Sequence, residues 1–346
     1  MAKIIGAQPL YDYDREIRIY APGGRDLKIT VIGGGHGQSA VLRGLKSYTS
    51  DLTGIVAVSD DGGGSGMLRE DMGILPPGDI RNCIIALSDA EPTLQKLMDF
   101  RFRDARLNGQ SFGNLFLAAL NEISDSFEEA VKKMCEVLST RGRVLPVTSE
   151  NINLEAEYEN GDTTLGESKI FWDKKVNGSR IREVRLVPSH PKALDESVRA
   201  ILDADIVVIG PGSLYTSVIP NFLADGITEA VATTNALRIF VMNVMTQEGE
   251  TEGYTGPDHI RAFCQHAGSD LIDVCIANNA ELDGEVLEAY RKEDSEPIRL
   301  HADEIEEMGI RIFQAPLTAN SKYARHDGDK LASAIISVYR AMRSMI

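Results

Sequence analysis

The first apolar segment of the chain ends in a cluster of glycines, and this constrains the fold more than any other feature. Residues 27–32 form a short apolar run, Gly33-Gly34-Gly35-His36-Gly37 follows directly, and a helical pattern continues to Leu45. A second apolar run at 54–58 stops at another glycine-rich segment. Fully buried parallel strands show continuous apolar runs of this length. The order strand, loop, helix, strand therefore predicts a doubly wound sheet.

The rest of the chain extends this alternation of strands and helices. Further strands are predicted at 205–209, 238–244 and 272–277, and helices at 80–87, 94–102, 114–123, 126–138 and 331–342. We therefore expect an α/β fold, a Rossmann-like three-layer α/β/α sandwich with a mostly parallel sheet. Residues 1–26 are expected to form an irregular leader, and residues 27–346 a single α/β domain.

A different pattern interrupts the α/β alternation at about residues 147–187. Apolar and polar residues alternate from Ile152 to Tyr158, and the turn-forming pair Asn160-Gly161 follows. Alternation with a period of two, followed by an Asn-Gly turn, indicates a β-hairpin. We expect this insertion to be a small antiparallel excursion from the main sheet.

Charge and cysteine content exclude several classes of protein. The 346 residues carry a formal net charge of −16 without a cluster of Lys and Arg, which argues against nucleic acid as a partner. No apolar run reaches the ~20 residues of a membrane helix, and the first residues show no signal-peptide pattern. The cysteines lack metal-ligand spacing and are predicted to be buried free thiols: Cys83, Cys135, Cys264 and Cys275. Free thiols fit a cytoplasmic location. Whether the chain forms a homo-oligomer is left open.

The first glycine loop has the sequence context of a phosphate site. Gly35, Gly37 and Ala40 match the pattern G-x-G-x-x-A between a predicted strand and a predicted helix. Glycines let a phosphate approach the backbone, and the N-terminus of the helix donates N–H groups to it. The alternative is a tight turn without a ligand. The residues expected to bind the ligand are Gly33, Gly34, Gly35, His36 and Gly37, although His36 can equally cap the helix.

The second glycine loop adds two adjacent carboxylates. Asp60 and Asp61 come directly after the second strand, and Gly62, Gly63 and Ser65 follow them. Mg²⁺ is commonly held by one or two carboxylates together with phosphate oxygens. Asp60 and Asp61 are therefore candidate ligands of Mg²⁺ bridging to a diphosphate. An acidic residue here can also bind a ribose, and the alternative without a ligand is a flexible acidic loop.

Four later segments supply further candidate residues at helix starts and strand ends. Asp79 opens a predicted helix, where it is also a good N-cap. Tyr215 can stack on a base or pack in the core. The long polar loop that begins at Asn243 follows a predicted strand, a common place for functional residues. The candidate ligand-binding residues of these segments are Asp79, Arg81, Asn82, Gly113, Asn114, Gly210, Pro211, Gly212, Ser213, Tyr215, Thr216, Asn243 and Thr246.

Taken in order, these segments resemble the gluconeogenesis factor (YvcK-like) family, which is related to the CofD-like 2-phospho-L-lactate transferases. The resemblance runs from about Lys28 to the C-terminus and includes the segments 32–37, 60–63, 77–82, 113–115, 210–217 and 245–251. It implies a single CofD-like domain. It also implies binding of a nucleotide or nucleotide sugar, a UDP-sugar such as UDP-N-acetylglucosamine, and a link to cell shape and wall synthesis on gluconeogenic carbon. The chain departs from the family pattern at His36, Gln110, Gly64 and Met67.

Three functions are compatible with this pattern. The first is a regulatory protein that binds a nucleotide sugar without turnover, because neither His36 nor His259 has a sequence partner that would orient it for proton transfer. The second is a nucleotide-dependent transferase in which Asp60 and Asp61 hold Mg²⁺. The third is an NAD(P)-binding oxidoreductase, based on the first glycine loop and Asp60. We expect the first of these.

Overall fold

The computed structural model describes residues 19–21, 23–103, 105–319 and 323–344. The strands, in chain order, are β1 (Ile29–Gly33), β2 (Leu52–Val56), β3 (Arg143–Pro146), β4 (Asn153–Tyr158), β5 (Thr163–Leu165), β6 (Ile181–Val187), β7 (Ile206–Ile209), β8 (Leu237–Val241), β9 (Val274–Asn278) and β10 (Arg311–Ala315).

The α-helices are α1 (Gly35–Leu45), α2 (Gly63–Met72), α3 (Gly78–Leu87), α4 (Pro92–Asp99), α5 (Phe112–Glu122), α6 (Phe127–Val137), α7 (Glu167–Asn177), α8 (Asp195–Leu202), α9 (Ile219–Phe222), α10 (Ile227–Thr233), α11 (Gly256–Ala267), α12 (Gly284–Arg291), α13 (Ala302–Glu307) and α14 (Gly328–Arg343). A short 3₁₀ turn (Ala105–Leu107) and a π-helical turn (Leu214–Val218) complete the set.

The main sheet has seven strands in the order β10-β9-β8-β7-β1-β2-β3, and every neighbouring pair is parallel. Residues in β1, β2 and β7 are buried at every position, as the continuous apolar runs predicted. Two groups of helices cover the sheet: α1 contacts α3 and α14, whereas α8 contacts α10 and α9 contacts α11. The predicted three-layer fold with a mostly parallel sheet is confirmed.

The position of β1 in the sheet determines where a ligand can bind. Ile29 of β1 is aligned with Leu52 of β2 on one side and with Ile206 of β7 on the other. The chain builds the sheet first from β1 towards β3 and then from β7 towards β10. The order therefore reverses beside β1, and the loops after β1 and β7 diverge at their carboxyl ends. Open α/β sheets bind ligands in the crevice at this point.

The insertion is larger than the predicted hairpin. Strands β4, β5 and β6 form a second, antiparallel sheet in the order β5-β4-β6, with Gly161 in the turn between β4 and β5 at φ +88°. The small antiparallel excursion is thus confirmed, but helix α7 lies between β5 and β6 and was not predicted. Its apolar residues do not gather on one buried face, since Ile170 is buried whereas Trp172 and Val176 are exposed.

Several predicted boundaries differ from the observed ones by two or three residues. The fourth helix was expected at 94–102 but covers Pro92–Asp99, because Pro92 favours a helix start. Strands β3 and β10 and helices α2, α8, α10, α12 and α13 were not predicted. Residues 1–18 and 22 of the expected leader lie outside the described residues, while Ile19 and Ala21 pack in the hydrophobic core.

The cysteines and the membrane prediction can be compared with the structure directly. All four cysteines are free thiols, as predicted. Cys83 and Cys275 are buried, but Cys135 and Cys264 are only partly buried, so full burial was wrongly predicted for those two. In the described parts of the chain, the helices are too short or too polar to span a bilayer.

Candidate functional site

A cleft of about 310 Å³ lies beside the carboxyl ends of β1, β2 and β7. Five loops and helix starts of the main sheet contribute to it, and α7 of the insertion closes one side. Its lining residues are Gly35, Asp60, Asp79, Glu167, Ser168, Phe171, Ser213, Thr216, Ser217, Gln247 and Glu250. The structure therefore brings together five of the residues expected to bind a ligand: Gly35, Asp60, Asp79, Ser213 and Thr216.

The N-terminus of α1 faces a carboxylate of the protein itself. Gly35 has φ +64°, a conformation that favours glycine, and its backbone N–H donates a 2.7 Å hydrogen bond to Oδ2 of Asp79. Asp79 was expected to cap its own helix; instead it lies in the first turn of α3, and Pro77 occupies the N-cap position. Burial, followed by the negative charge of Asp60, raises the pKa of Asp79 to about 6. The side chain of Asn82 supports Asp79 with a further hydrogen bond.

Asp60 and Asp61 point into different cavities. Oδ1 of Asp60 accepts a 2.8 Å hydrogen bond from the Gly62 N–H and the carboxylate lies in the cleft, where burial raises its pKa. The hydroxyl of Ser65 supports Asp60 with another hydrogen bond. Oδ1 of Asp61 accepts from the N–H of Ser168, and Asp61 lines a second cavity. Asp60 therefore shares the cleft with Asp79 rather than with Asp61.

Metal ligation at this cleft would depend on few protein groups. Among the described residues, no three His, Cys, Asp or Glu side chains come together in a group that could hold a metal ion. Mg²⁺ needs fewer protein ligands, since one or two carboxylates suffice when phosphate oxygens and water complete the octahedron. Asp60 and Asp79 meet this requirement as a pair of carboxylates lining one cleft.

Glu250 and Glu167 are two acidic residues of the cleft that the candidate residues did not include. Glu250 is only 4% exposed and accepts hydrogen bonds from the Tyr215 N–H, the Thr216 hydroxyl and the Gln247 amide. Burial raises its pKa to about 7 despite these donors. Burial also raises the pKa of Glu167 well above its usual value, and the charges of Asp60 and Asp79 add to the effect.

The charge of the cleft is strongly one-sided. Four carboxylic acids line it, and its lining residues, all within the described chain, include no Lys or Arg. Burial is the main cause of the raised pKa values of these acids, and the negative charges of other cleft acids add to it for Asp79 and Glu167. An anionic ligand can occupy such a site only together with a cation or protons.

The glycines of the two βα loops allow close backbone approach. A Cβ on Gly37 would lie 2.5 Å from the carbonyl oxygen of Pro211, so α1 could not lie against the loop after β7. Asn243 holds the same loop by exchanging hydrogen bonds with the N–H and C=O of Gly212. The expected residues of these loops are buried at Gly33, Gly34, Gly210 and Pro211 and half-buried at Gly37, Gly212 and Asn243. This placement is consistent with both a phosphate loop and a tight turn.

Other expected ligand-binding residues do not line the cleft. Tyr215 is 2% exposed and its hydroxyl bonds to that of Tyr254 at 2.9 Å, so it packs in the core and cannot stack on a base. The guanidinium of Arg81 bonds to the side chain of Asn82 and the carbonyl of Met98. Thr246 accepts from the N–H of Glu296 in a buried loop contact.

The remaining expected residues lie around the second glycine loop, on α5 and at the start of α1. A Cβ on Gly113 would lie 2.6 Å from Cδ of Arg81, so this glycine serves helix packing. Asn114 is buried, and its Oδ1 has no hydrogen-bond partner among the described residues. Gly63 is exposed at φ +48°. His36 is exposed on α1. Desolvation of its imidazole by the surrounding protein lowers its pKa, and the positive charges of Arg325 and Arg81 add to this effect.

Six lining residues were missing from the sequence-based site. Glu167, Ser168 and Phe171 lie on α7, for which the sequence carried no helical period. Ser217, Gln247 and Glu250 lie within two segments that had been singled out, 210–217 and 245–251, but were not chosen there. Their position in those segments is the signal that could have identified them.

Comparison with known proteins agrees with this geometry. The family model "2-phospho-L-lactate transferase CofD" matches residues 29–318. The chain is 48% identical over 312 residues to a putative gluconeogenesis factor of Thermoanaerobacterium thermosulfurigenes, covering 90% of this chain and 96% of the relative. It is 42% identical over 319 residues to the gluconeogenesis factor of Bacillus subtilis, covering 92% and 99%.

A solved structure shares the whole architecture. A crystal structure of a UPF0052 family protein from Bacillus halodurans superposes with a TM-score of 0.87 at 40% sequence identity. The match covers 90% of this chain and 100% of that one. Both the extent of the family match and the identity to its relatives exceed what a shared fold alone would produce. The chain belongs to the CofD family and, within it, to the gluconeogenesis factors.

Proposed function

We propose that this chain is a cytoplasmic regulatory protein that binds a nucleotide sugar, a UDP-sugar such as UDP-N-acetylglucosamine, without consuming it. The observation that carries the proposal is the pairing of a helix N-terminus with two carboxylates in one cleft. The N–H of Gly35 at the start of α1 donates to Asp79, and Asp60 lines the same cleft. The names of the relatives support a role in growth on gluconeogenic carbon, which we extend to cell shape and wall synthesis.

The charge of the cleft supports a cation as part of the ligand. A diphosphate alone would face Asp60, Asp79, Glu167 and Glu250 without a basic residue among the lining side chains described. Mg²⁺ bound to the diphosphate offsets this repulsion, since Asp60 and Asp79 supply the hard oxygen ligands that the ion prefers. The cation thus makes binding of an anionic nucleotide compatible with an acidic site.

The wall formed by α7 supports recognition of a nucleobase or sugar. Phe171 is half-buried and lines the cleft together with the hydroxyl residues Thr216 and Ser217. An aromatic face can stack on any base, whereas hydroxyls hydrogen-bond to ribose or sugar oxygens.

The test is a thermal-shift series with UDP-N-acetylglucosamine and a nucleotide panel, with and without Mg²⁺. Ligand at 100 times its Kd should stabilise the protein by about 2.7 kcal/mol, and only when Mg²⁺ is present. An equal shift with chelator would contradict the role of the cation. The absence of any shift across the panel would refute nucleotide binding.

A second function, a Mg²⁺-dependent transferase of the phospholactate type, is favoured by one observation. Asp79 and Glu250 have pKa values of about 6 and about 7, so both can exchange protons near neutral pH. The match to the CofD family model adds support. Prolonged incubation of UDP-N-acetylglucosamine with Mg²⁺ and excess protein, followed by phosphorus NMR, distinguishes the two. Release of UMP or UDP at enzymatic rates would establish turnover.

A further inference from the structure

A second cavity of about 380 Å³ adjoins the cleft but has a different chemical character. The Asp60-Asp61 pair and the first turn of α7 contribute to both, because Asp60 and Ser168 line the cleft whereas Asp61 and Lys169 line the cavity. Unlike the cleft, this cavity is lined by two basic side chains, Arg69 and Lys169.

Arg69 is a buried cation whose direct hydrogen bonds go to uncharged acceptors. It is 9% exposed, and its Nη2 donates to the carbonyl of Ile152 at 2.5 Å and to Oδ1 of Asn153 at 3.0 Å. Its Nη1 is buried and has no hydrogen-bond partner among the described residues. Buried charges in proteins are normally paired and hydrogen-bonded. A donor left open on a buried guanidinium therefore points to an acceptor supplied from outside the chain.

Three further donor groups line the same cavity. Lys169 is exposed on the first turn of α7, Asn151 is exposed at the end of the preceding loop, and Asn153 keeps its amide nitrogen after its oxygen accepts from Arg69. Together with Nη1 of Arg69 they form a set of donors from three separate segments. Guanidinium and ammonium groups with side-chain amides are the donors that proteins use for phosphate and carboxylate.

The acidic residues of the cavity leave room for an anion. Asp61 and Glu70 also line it, so its charged side chains balance, in contrast to the four carboxylic acids of the cleft. The carboxylate of Asp61 already accepts the N–H of Ser168, and Glu70 is exposed to water. An incoming oxyanion therefore gains two cations here and faces weaker repulsion than in the cleft.

We propose that this cavity binds a small oxyanion, the phosphate or carboxylate group of a metabolite, between Arg69 and Lys169 and separately from the nucleotide cleft. Lys169 and Asn151 are exposed at its mouth, and Nη1 of Arg69 is buried, so the lining side chains must shift for the anion to reach it. This inference goes beyond the proposed nucleotide binding and does not depend on it.

The test is calorimetric titration of the full chain with inorganic phosphate and, separately, with malonate. Chelator is present, so that a cation-dependent site in the cleft does not contribute, and sodium chloride keeps the ionic strength constant. Wild-type protein should bind at least one of the two anions saturably, and the tighter one identifies the chemistry. Lys169→Met should weaken this binding about tenfold, and Arg69→Met should abolish it.

Lys175→Met is the matched control, because Lys175 lies on the same helix, pairs with Glu248 and lines a different groove. Its anion affinity should equal that of the wild type. Since Arg69 is buried, Lys169→Glu at the exposed mouth provides a second variant that does not disturb the core and should also abolish binding. Unchanged affinity in the Lys169 variants, or no saturable binding of either anion, would overturn the proposal.

Titration of the same variants with UDP-N-acetylglucosamine and Mg²⁺ separates the two proposals. Nucleotide affinity should be unchanged in Lys169→Met. If the wild-type protein binds the anion but not the nucleotide, only the proposed function is refuted. If it binds the nucleotide but not the anion, only the oxyanion site is refuted.

Discussion

The backbone N–H of Gly35 donates a 2.7 Å hydrogen bond to Oδ2 of Asp79, and this bond connects the N-terminus of α1 to the first turn of α3. A carboxylate of the protein thus lies at the helix N-terminus where doubly wound proteins often bind phosphate. A helix N-terminus stabilises an anion, yet burial and Asp60 still raise the pKa of Asp79 to about 6. The site is therefore poised to accept either a cation or a proton.

Replacing Asp79 tests the cation directly. Asp79→Asn keeps an oxygen that accepts from Gly35 but removes the charge, so Mg²⁺-dependent binding of UDP-N-acetylglucosamine should weaken by more than about tenfold. Calorimetry with and without Mg²⁺ measures this. Asp225→Asn is the control, because Asp225 is exposed and its carboxylate pairs with the imidazole of His190. Equal affinity in both variants would argue against Asp79 as a ligand of the cation.

The acidic cleft should make the metal-free protein less stable as the pH rises. Glu250 has a folded pKa of about 7, above the about 4.3 of an unfolded glutamate. A raised carboxylate pKa contributes stability below the unfolded value, and this contribution is lost as the pH rises through the folded value. The loss from Glu250 between pH 5 and pH 8 should be about 1–3 kcal/mol, measured by urea unfolding with chelator present.

Glu250→Gln should reduce this pH dependence. The glutamine carries no charge, and Thr216 and Gln247 can reorient their groups to satisfy its amide. Glu281→Gln, at an exposed position, should leave the dependence unchanged. If Glu250→Gln lowers the stability at pH 8 as much as at pH 5, then the hydrogen bonds of Glu250 outweigh its charge.

The insertion should loosen at acid pH through His266. Its Nε2 accepts a 3.0 Å hydrogen bond from the N–H of Val184 in β6, which requires neutral imidazole, and burial lowers its pKa. A histidine with a lowered folded pKa stabilises the fold above the unfolded value of about 6.5 and loses that contribution as the pH falls. Hydrogen exchange at Val184, corrected for the intrinsic rate, should therefore accelerate between pH 7.5 and pH 5.5.

His266→Ala should remove this acceleration and lower stability at pH 7.5 by about 1–3 kcal/mol, since the Val184 N–H would lose its acceptor. His190→Ala, at an exposed residue, provides the comparison. An unaltered pH profile in His266→Ala would assign the loosening to another group.

Phe171 should contribute to binding of the base. Phe171→Ala should weaken UDP-N-acetylglucosamine binding by about 1–3 kcal/mol if the ring stacks on uracil. Val176→Ala on the same helix is the control, because Val176 is 86% exposed and does not line the cleft. Titration with free uridine and with UDP shows whether the loss follows the base. A loss restricted to the sugar would place Phe171 against the sugar instead.

Local sequence determined five of the seven strands of the main sheet and the identity of the loops that follow them. Continuous apolar runs ending in glycines marked β1, β2 and β7, because strands buried on both faces need apolar side chains at every position. Asp60 and Ser213 were identified because the loops after parallel strands converge at one edge of the sheet, and Asp79 because it opens a predicted helix. These features depend on the period and spacing of nearby residues, which the sequence contains.

Only the tertiary structure decided which side chains share the cleft. Asp60 and Asp61 are adjacent in the chain, yet their carboxylates enter different cavities, whereas Asp79 and Glu250 are distant in sequence and line the same one. Tyr215 was a candidate ligand-binding residue, but it packs in the core, where its hydroxyl bonds to that of Tyr254. Helix α7 carried no period to predict it, but it supplies one wall of the cleft. Burial by distant segments sets both side-chain direction and pKa, and this depends on packing rather than on local pattern.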